Sequence, residues 1–317
     1  MAKNKILITG GAGFIGSNFT RFVLDNGLFE NVVVLDNLTY AGNLDNLDGL
    51  LDDDRLEFIE GDIADPKKAK EAMGGCRYLV NFAAETHVDR SLSSADPFLH
   101  SNIIGVYVLL ETARNSTVEK FIHISTDEVY GPLIHGAADE GFPIKPSSPY
   151  SASKASADAL CHAYRVSFEV PTILVRPANN YGPRQYPEKL IPFFIKRALD
   201  GKTLPVYGDG RQQRDWLHVE DNCRAIHLLI EKGEIGETYN VGANNHRLNI
   251  DITRSILDIL KLPESLIEHV TDRPGHDFRY AIDSSRITKL GWKPSVPFEK
   301  GFEETILWFS KKYGGGR

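Results

Sequence analysis

The sequence predicts an α/β fold, a doubly wound parallel sheet with a smaller C-terminal domain. Three observations carry that reading. Short runs that are apolar on both faces recur at 5–8, 32–35, 56–59, 78–82, 121–124 and 172–175. Segments of helical periodicity separate them, and this alternation belongs to a parallel sheet covered by helices on each side. Polar residues suited to chemistry collect just after the strand ends, where open sheets of this kind bind ligands.

The bulk properties bound the alternatives. A chain of 317 residues holds one large or two moderate domains. A net charge of −7 disfavours nucleic acid or an anionic membrane as partner. Cys76, Cys161 and Cys223 are scattered, without a CxxC, so no disulfide framework is expected and a reducing cytoplasm is the default. The N-terminus runs straight into the first strand without a signal-peptide pattern. No apolar run approaches the roughly 18 residues of a membrane span.

Taken in order, the first strand leads into Gly10-Gly11-Ala12-Gly13-Phe14-Ile15-Gly16 and a helix to about Asn26. The second strand ends at Asp36; the third is followed by Gly61, Asp62 and a helix from Asp65. A long helix is expected over 97–114, after the fourth strand. The fifth strand leads into Ser125-Thr126-Asp127-Glu128. Residues 131–149 are rich in Gly and Pro without periodicity, a long loop of the kind used as a lid. A helix over 150–169 carries small residues (Ala152, Ala155, Ala157, Ala159, Ala163) that permit close packing, in the core or across a subunit interface. Beyond Pro177, turns and one helix (188–200) fill 179–210. A helix at 221–231 and a strand at 239–241 return to the αβ pattern, and helices at 250–260 and 298–312 close the chain. The expected division is 1–178 with 211–243 for the sheet domain, and 179–210 with 244–317 for the smaller one.

The glycine loop satisfies GxGxxG between a strand and a helix, the context that gives this pattern meaning. Glycines let the backbone approach a pyrophosphate, whose charge the helix N-terminus favours. Asp36 lies twenty residues beyond Gly16, where a carboxylate takes ribose hydroxyls and repels a 2′-phosphate. The fold is therefore expected to be Rossmann-type and its cofactor NAD. Asp62, Ile63, Ala83, Ala84 and Glu85 end the third and fourth strands, as walls of adenine and ribose pockets or as plain loop starts. Tyr150 and Lys154 share a helix face at i and i+4. A phenol of pKa about 10 is a poor base; lowering it by about three units takes roughly 4 kcal/mol, which a desolvated cation can supply.

With the strings at 38–43, 83–91, 125–131, 179–183, 214–221 and 272–277, the chain resembles the extended short-chain dehydrogenase/reductases, Rossmann-fold enzymes of nucleotide sugars, over essentially its whole length. Asp127-Glu128 points to the dehydratases among them, because the epimerases and decarboxylases lack that pair. The resemblance implies that Tyr150, with Lys154 and Thr126, takes the sugar 4-hydroxyl proton while C4 gives hydride to NAD. Glu128 then removes the C5 proton, protonated Asp127 assists loss of the 6-hydroxyl, and the hydride returns to C6. It implies a cofactor site of Gly10, Gly13, Phe14, Ile15, Gly16, Asp36, Asn37, Thr39, Asp62, Ile63, Ala83 and Ala84, together with Tyr150 and Lys154. The substrate is expected to be a nucleotide-diphosphate sugar in the smaller, substrate-binding domain. Arg214 and Arg273 would meet its phosphates, with His276 near and Asn249 on the nucleotide side. Asn180, Lys189 and His87 would meet the sugar, and Pro205 and Tyr207 the base. A homodimer through the helices at 97–114 and 150–168 is expected, and no metal. A UDP-sugar in place of a dTDP-sugar, a 4-epimerase and a non-catalytic NAD sensor remain the alternatives. One structural demand follows: adjacent strand residues point to opposite faces, so the chain must bend near Thr126 for both acids to face one sugar.

Overall fold

The structure, a computed structural model, describes residues 4–272 and 277–314. Its first half runs β1 (Lys5–Thr9), α1 (Phe14–Asp25), β2 (Asn31–Asp36), β3 (Leu56–Glu60), α2 (Pro66–Met73), β4 (Tyr78–Asn81), α3 (Val88–Ser93), α4 (Asp96–Phe98), α5 (Val106–Arg114) and β5 (Lys120–Ile124). Then come α6 (Pro149–Phe168), β6 (Thr172–Pro177), β7 (Asn179–Tyr181), α7 (Leu190–Leu199), β8 (Leu204–Tyr207), β9 (Gln213–His218), α8 (Val219–Lys232) and β10 (Thr238–Val241). The last elements are β11 (His246–Leu248), α9 (Asn249–Leu260), β12 (Ile267–Val270), α10 (Ser285–Lys289) and α11 (Phe298–Tyr313).

Seven strands form one parallel sheet in the order β3-β2-β1-β4-β5-β6-β10. The doubly wound α/β fold is thus borne out, down to the late return of the chain as β10. Alternate residues of the strands feed two separate cores. Ile6, Ile8, Val32 and Val34 pack with Phe19 and Val23 of α1 and Ile226 and Leu229 of α8. Leu7, Val33, Leu35 and Leu79 pack with Ala69 of α2, Leu109 of α5 and Ala157 of α6. This two-sided burial is why the strands read as continuous apolar runs. The chain winds outward from β1 to β3 and then crosses back to β4, so the order reverses between β1 and β4 and a crevice opens beyond their carboxyl ends.

Three features depart from the expected elements. The helix over 97–114 is broken: Leu99–Gly105 is π-helical. The wide turn lets Asn102 point inward, accepting from Glu85 N (2.9 Å) and donating to Glu85 O (3.0 Å) and Ser153 Oγ (2.8 Å). Residues 88–93 are helical where no helix was expected. Short strands also form β11-β9-β7 and β12-β8 sheets, whose partners lie too far apart in sequence for any local signal. A third apolar cluster, with Ile195, Leu204, Ile256, Phe302 and Phe309, underlies this C-terminal region. Among the described residues no helix is long and apolar enough to cross a membrane.

Candidate active site

The glycine loop turns where β1 meets the crevice. Gly10 has φ +67°, and a Cβ there would stand 2.5 Å from the Ala83 nitrogen; a Cβ on Gly16 would stand 2.2 Å from the Gly10 carbonyl oxygen. Only glycine permits this approach between the β1 and β4 ends. Gly13 caps α1, whose first turn carries no acidic side chain, leaving its amides and dipole for an anion. Asp36 is buried against the same loop. Its Oδ2 accepts from Ala12 N and its Oδ1 from Leu38 N, both at 2.9 Å. Burial raises its pKa, and these backbone donors oppose the rise.

A cavity of about 240 Å³ opens beside the loop, bordered by Gly10, Gly13, Asp36, Asn37, Thr39, Asp62, Ile63, Ala83 and Ala84. Asp62 spends its carboxylate on Ala64 N (2.8 Å), Asn37 Nδ2 (3.2 Å) and His100 Nε2 (3.0 Å). Phe14 and Ile15 pack on the core instead, and Gly16 lies under Gly10; none of the three borders the cavity. Glu85 borders it too, as do His100 and Ser101, and these last two were not anticipated because the π-helical turn that brings them there has no sequence signature of its own.

The strand bearing the acids ends where the geometry required. β5 stops at Ile124, Thr126 remains extended (φ −156°, ψ 152°), and a 3-10 turn follows over Asp127–Tyr130. Thr126 Oγ1 caps this turn, accepting from Glu128 N at 3.2 Å and lying 3.3 Å from Asp127 Oδ1. Gly131 (φ +75°) closes it where a Cβ would stand 2.3 Å from the Lys145 carbonyl oxygen. Asp127 is 2% exposed, and its Oδ2 has no hydrogen-bond partner. Burial, then the neighbouring Glu128, push its pKa well above the carboxylate range, with Arg214 opposing. Its neighbour Glu128 borders a second cavity.

A capping box at Ser148 starts α6, placing Tyr150 in its first turn and Lys154 one turn later. Burial and then Glu128 raise the pKa of the Tyr150 phenol, with Thr126 opposing. The lysine is buried on the same helix. Its Nζ donates to Ile124 O at 2.7 Å, and burial, opposed by Asp158, brings its pKa down to about 8. Protein groups alone thus keep the phenol protonated, because desolvation outweighs them. Neither Tyr150 nor Lys154 borders the smaller cavity.

The second cavity, about 480 Å³, is bordered by Glu128, His87, Asn180, Lys189, Pro205, Tyr207, Arg214 and Asn249. Residues from five separate stretches of chain thus converge on one space. Asn180 is held by Ala178 O and Asn222 Nδ2, each at 2.9 Å, and Lys189 Nζ donates to Thr86 O at 2.7 Å. Arg214 lies 4.5 Å over the Tyr280 ring. It donates to the carbonyls of Gln213 (2.8 Å), Asp277 (2.9 Å) and Phe278 (3.3 Å), so it shapes the returning chain as well as the cavity wall. Asn249 Oδ1 is buried without a partner. Arg273 and His276 lie outside the described residues.

Glu188, Tyr280 and Trp216 also border this cavity and were missed. Glu188 accepts from Tyr40 OH at 3.2 Å and lies 3.3 Å from Arg90 Nε, while the Arg90 guanidinium stacks 3.7 Å over the Tyr40 ring. One clamp therefore joins the segments after β2, after β4 and before α7. Its members Tyr40 and Arg90 stand inside strings that the sequence reading singled out. Glu188 was legible only as a charge beside Lys189.

A glycine loop at the switch point, with a tyrosine–lysine helix and a hydroxyl residue beyond β5, is the layout of the short-chain dehydrogenase/reductases, the class this fold and site define. Within it the chain belongs to the GDP-mannose 4,6 dehydratase family, whose sequence model matches residues 7–305. It is 49% identical over 304 residues to the low-salt glycan biosynthesis protein Agl12 of Haloferax volcanii, covering 96% of this chain and 98% of that protein. It is 46% identical over 311 residues to dTDP-glucose 4,6-dehydratase of an Actinoplanes strain, covering 96% and 97%. The structure of DesIV, the dTDP-glucose 4,6-dehydratase of Streptomyces venezuelae, solved with NAD and dTDP bound, superposes with a TM-score of 0.95 at 43% identity, covering 98% of each chain.

Proposed function

We propose that the protein is an NAD-dependent hydro-lyase that converts dTDP-glucose to a 4-keto-6-deoxy sugar nucleotide. The observation that carries this reading is the 3-10 turn at Asp127–Tyr130, which sets a buried Asp127 of raised pKa next to Glu128, itself on the wall of the larger cavity. An epimerase or a sensor has no use for such an acid–base pair. Relatives named dTDP-glucose 4,6-dehydratase, 46% identical over most of the chain, support the thymidine nucleotide over uridine.

The residues fit NAD. The amides of the Gly10–Gly13 turn and the N-terminus of α1 suit a diphosphate, and the Asp36 carboxylate suits two ribose hydroxyls and opposes a 2′-phosphate. Asn37, Thr39, Asp62, Ile63, Ala83 and Ala84 supply the remaining walls. When bound, NAD would supply a positively charged acceptor that takes hydride at C4 and gives it back at C6, so the cofactor ends unchanged. Tyr150 as phenolate serves as base toward the sugar 4-hydroxyl, taking its proton directly or through the Thr126 hydroxyl, and the ammonium of Lys154 stabilises the phenolate. Glu128 removes the proton at C5. Asp127 gives its proton to the departing 6-hydroxyl, so the pair works because their environments hold them in different protonation states. Arg214, Lys189, Asn249, His87, Asn180, Pro205 and Tyr207 line the sugar-nucleotide site, with Arg273 and His276 as further phosphate ligands.

The domain division is kept with one change: Gln213–His218 goes to the sugar-nucleotide domain, because it pairs with β7 and β11. A homodimer is favoured by exposed Leu99, Ile104, Tyr107, Val166 and Phe168 on the two long helices, and a reducing cytoplasm by three buried, unpaired cysteines. Incubation with dTDP-glucose and UDP-glucose deuterated at C4 tests the reaction. Label appearing at C6 with loss of water, faster from the dTDP-sugar, is the expected result. Label retained at C4 without water loss would replace this reading by epimerisation.

A further inference from the structure

We propose that Arg176 is a positioning residue that holds the helix carrying Tyr150 and Lys154 in register with the turn carrying Asp127 and Glu128. The inference rests on the dehydratase reading, because it is that reading which gives these two elements successive steps of one reaction. Arg176 lies near the end of β6 and is 4% exposed. Its Nε stands 2.9 Å from Asp158 Oδ2. Asp158 follows Lys154 by four residues on α6 and so shares its face; it also opposes the effect of burial on the lysine. The other arm of the guanidinium reaches the turn: Nη1 donates to the Tyr130 hydroxyl at 2.8 Å, and the group lies 4.9 Å from the ring centroid. Tyr130 is the last residue of the turn whose first two residues are the acids.

The network continues outward. The Tyr130 hydroxyl donates to Asn240 Oδ1 at 2.8 Å. Asn240, on β10, holds the carbonyls of Ala138 (3.0 Å) and Asp283 (3.2 Å) through its amide, and its backbone N–H donates to Glu140 Oε1 at 3.0 Å. The Gly- and Pro-rich loop at 131–149 is thereby tied to the same point. Arg176, Asp158, Tyr130 and Asn240 border neither cavity, so substrate contact does not account for them. Burying an ion pair adds little net stability, whereas a fixed geometry is a use such pairs do have. The chemistry also explains the residue type: a planar fork grips two partners at fixed angles, which a single ammonium cannot do. Alignment of this kind matters to rate, since a displacement of about 1 Å costs on the order of 100-fold.

Two variants test the assignment, Tyr130→Phe, which removes only the hydroxyl that joins turn to guanidinium, and Arg176→Lys, which keeps the charge beside Asp158 but loses the second arm. Both are assayed with dTDP-glucose while the absorbance of reduced cofactor and the product are followed, and melting temperature is recorded. We expect KM within about twofold of wild type and kcat lower by about 10- to 100-fold. Reduced cofactor should accumulate, because the acids of the loosened turn act after the hydride has left C4. Variants that melt earlier but turn over at the wild-type rate, without that accumulation, would show a merely structural network and overturn the proposal. A wild-type protein that dehydrates no sugar nucleotide would overturn the dehydratase reading and this inference together; normal wild-type turnover with unaltered variants would overturn this inference alone.

Discussion

Asp127 shows how a single side chain acquires its chemistry from its surroundings. In water an aspartate is ionised above about pH 4; here burial and the adjacent Glu128 raise its pKa well above that, against the pull of Arg214. Asp127→Asn preserves the shape and removes the acidic proton, and kcat should fall by about 10²–10⁴-fold. The same shift predicts a stability effect of defined sign. The folded state holds this proton more tightly than the unfolded chain. The group's contribution to stability is therefore complete below the unfolded pKa of about 4 and is lost as pH rises toward the raised folded value. Asp127→Asn escapes that loss, so its melting temperature should gain on wild type as pH is increased from about 4. Calorimetry across that range checks this, and a wild-type protein that gains on the Asn variant as pH rises would contradict the raised pKa.

At the scale of elements, two interruptions of regular structure build the site. The 3-10 turn after β5 buries Asp127 while its neighbour Glu128 borders the larger cavity, and the π-helical segment Leu99–Gly105 turns Asn102 inward. Asn102 has no exposed surface and clamps both backbone groups of Glu85, next to Ala83 and Ala84 at the cofactor cavity. Asn102→Ala leaves those groups without their partner. It should cost about 2–3 kcal/mol of stability and weaken NAD binding more than sugar-nucleotide binding. Denaturant titration and cofactor titration measure the two effects, and equal losses for both ligands would argue against a local role at the cofactor wall.

At the scale of the molecule, the large apolar side chains left outside on the helices at 96–114 and 149–168 are its conspicuous surface feature. Leu99, Ile104, Tyr107, Val166 and Phe168 are all exposed, and Arg114 stacks 3.8 Å over the Phe168 ring at their edge. Pairing of two copies through these helices would cover a patch that solvent tolerates poorly. Ile104→Glu places a charge in that surface and should yield monomers in sedimentation velocity while wild type sediments as a dimer. A wild-type monomer would remove the assembly from the description of this protein. The Tyr40–Glu188–Arg90 clamp acts at this scale too, since it joins segments from both sides of the site.

What the sequence determined by itself is whatever depends on a few neighbouring residues. Strands apolar on both faces dictated a buried parallel sheet, glycines at 10, 13 and 16 dictated the tight loop, and the i, i+4 spacing put Tyr150 and Lys154 on one face. Even the bend at Thr126 followed from the alternation of side chains along a strand. Tertiary structure decided what depends on distant partners. It turned residues 99–105 of the helix expected at 97–114 into a π-helical segment, in which Asn102 reaches Glu85 and Ser153. It gave Arg214 to the carbonyls of residues 213, 277 and 278, and set Lys154 on Ile124 O. It also placed Glu188 against Tyr40, 148 residues away. Backbone propensity and spacing act over one or two turns, whereas desolvation and pairing, which set the charge on Asp127 and the pKa of Lys154, come from whichever segments the fold packs alongside.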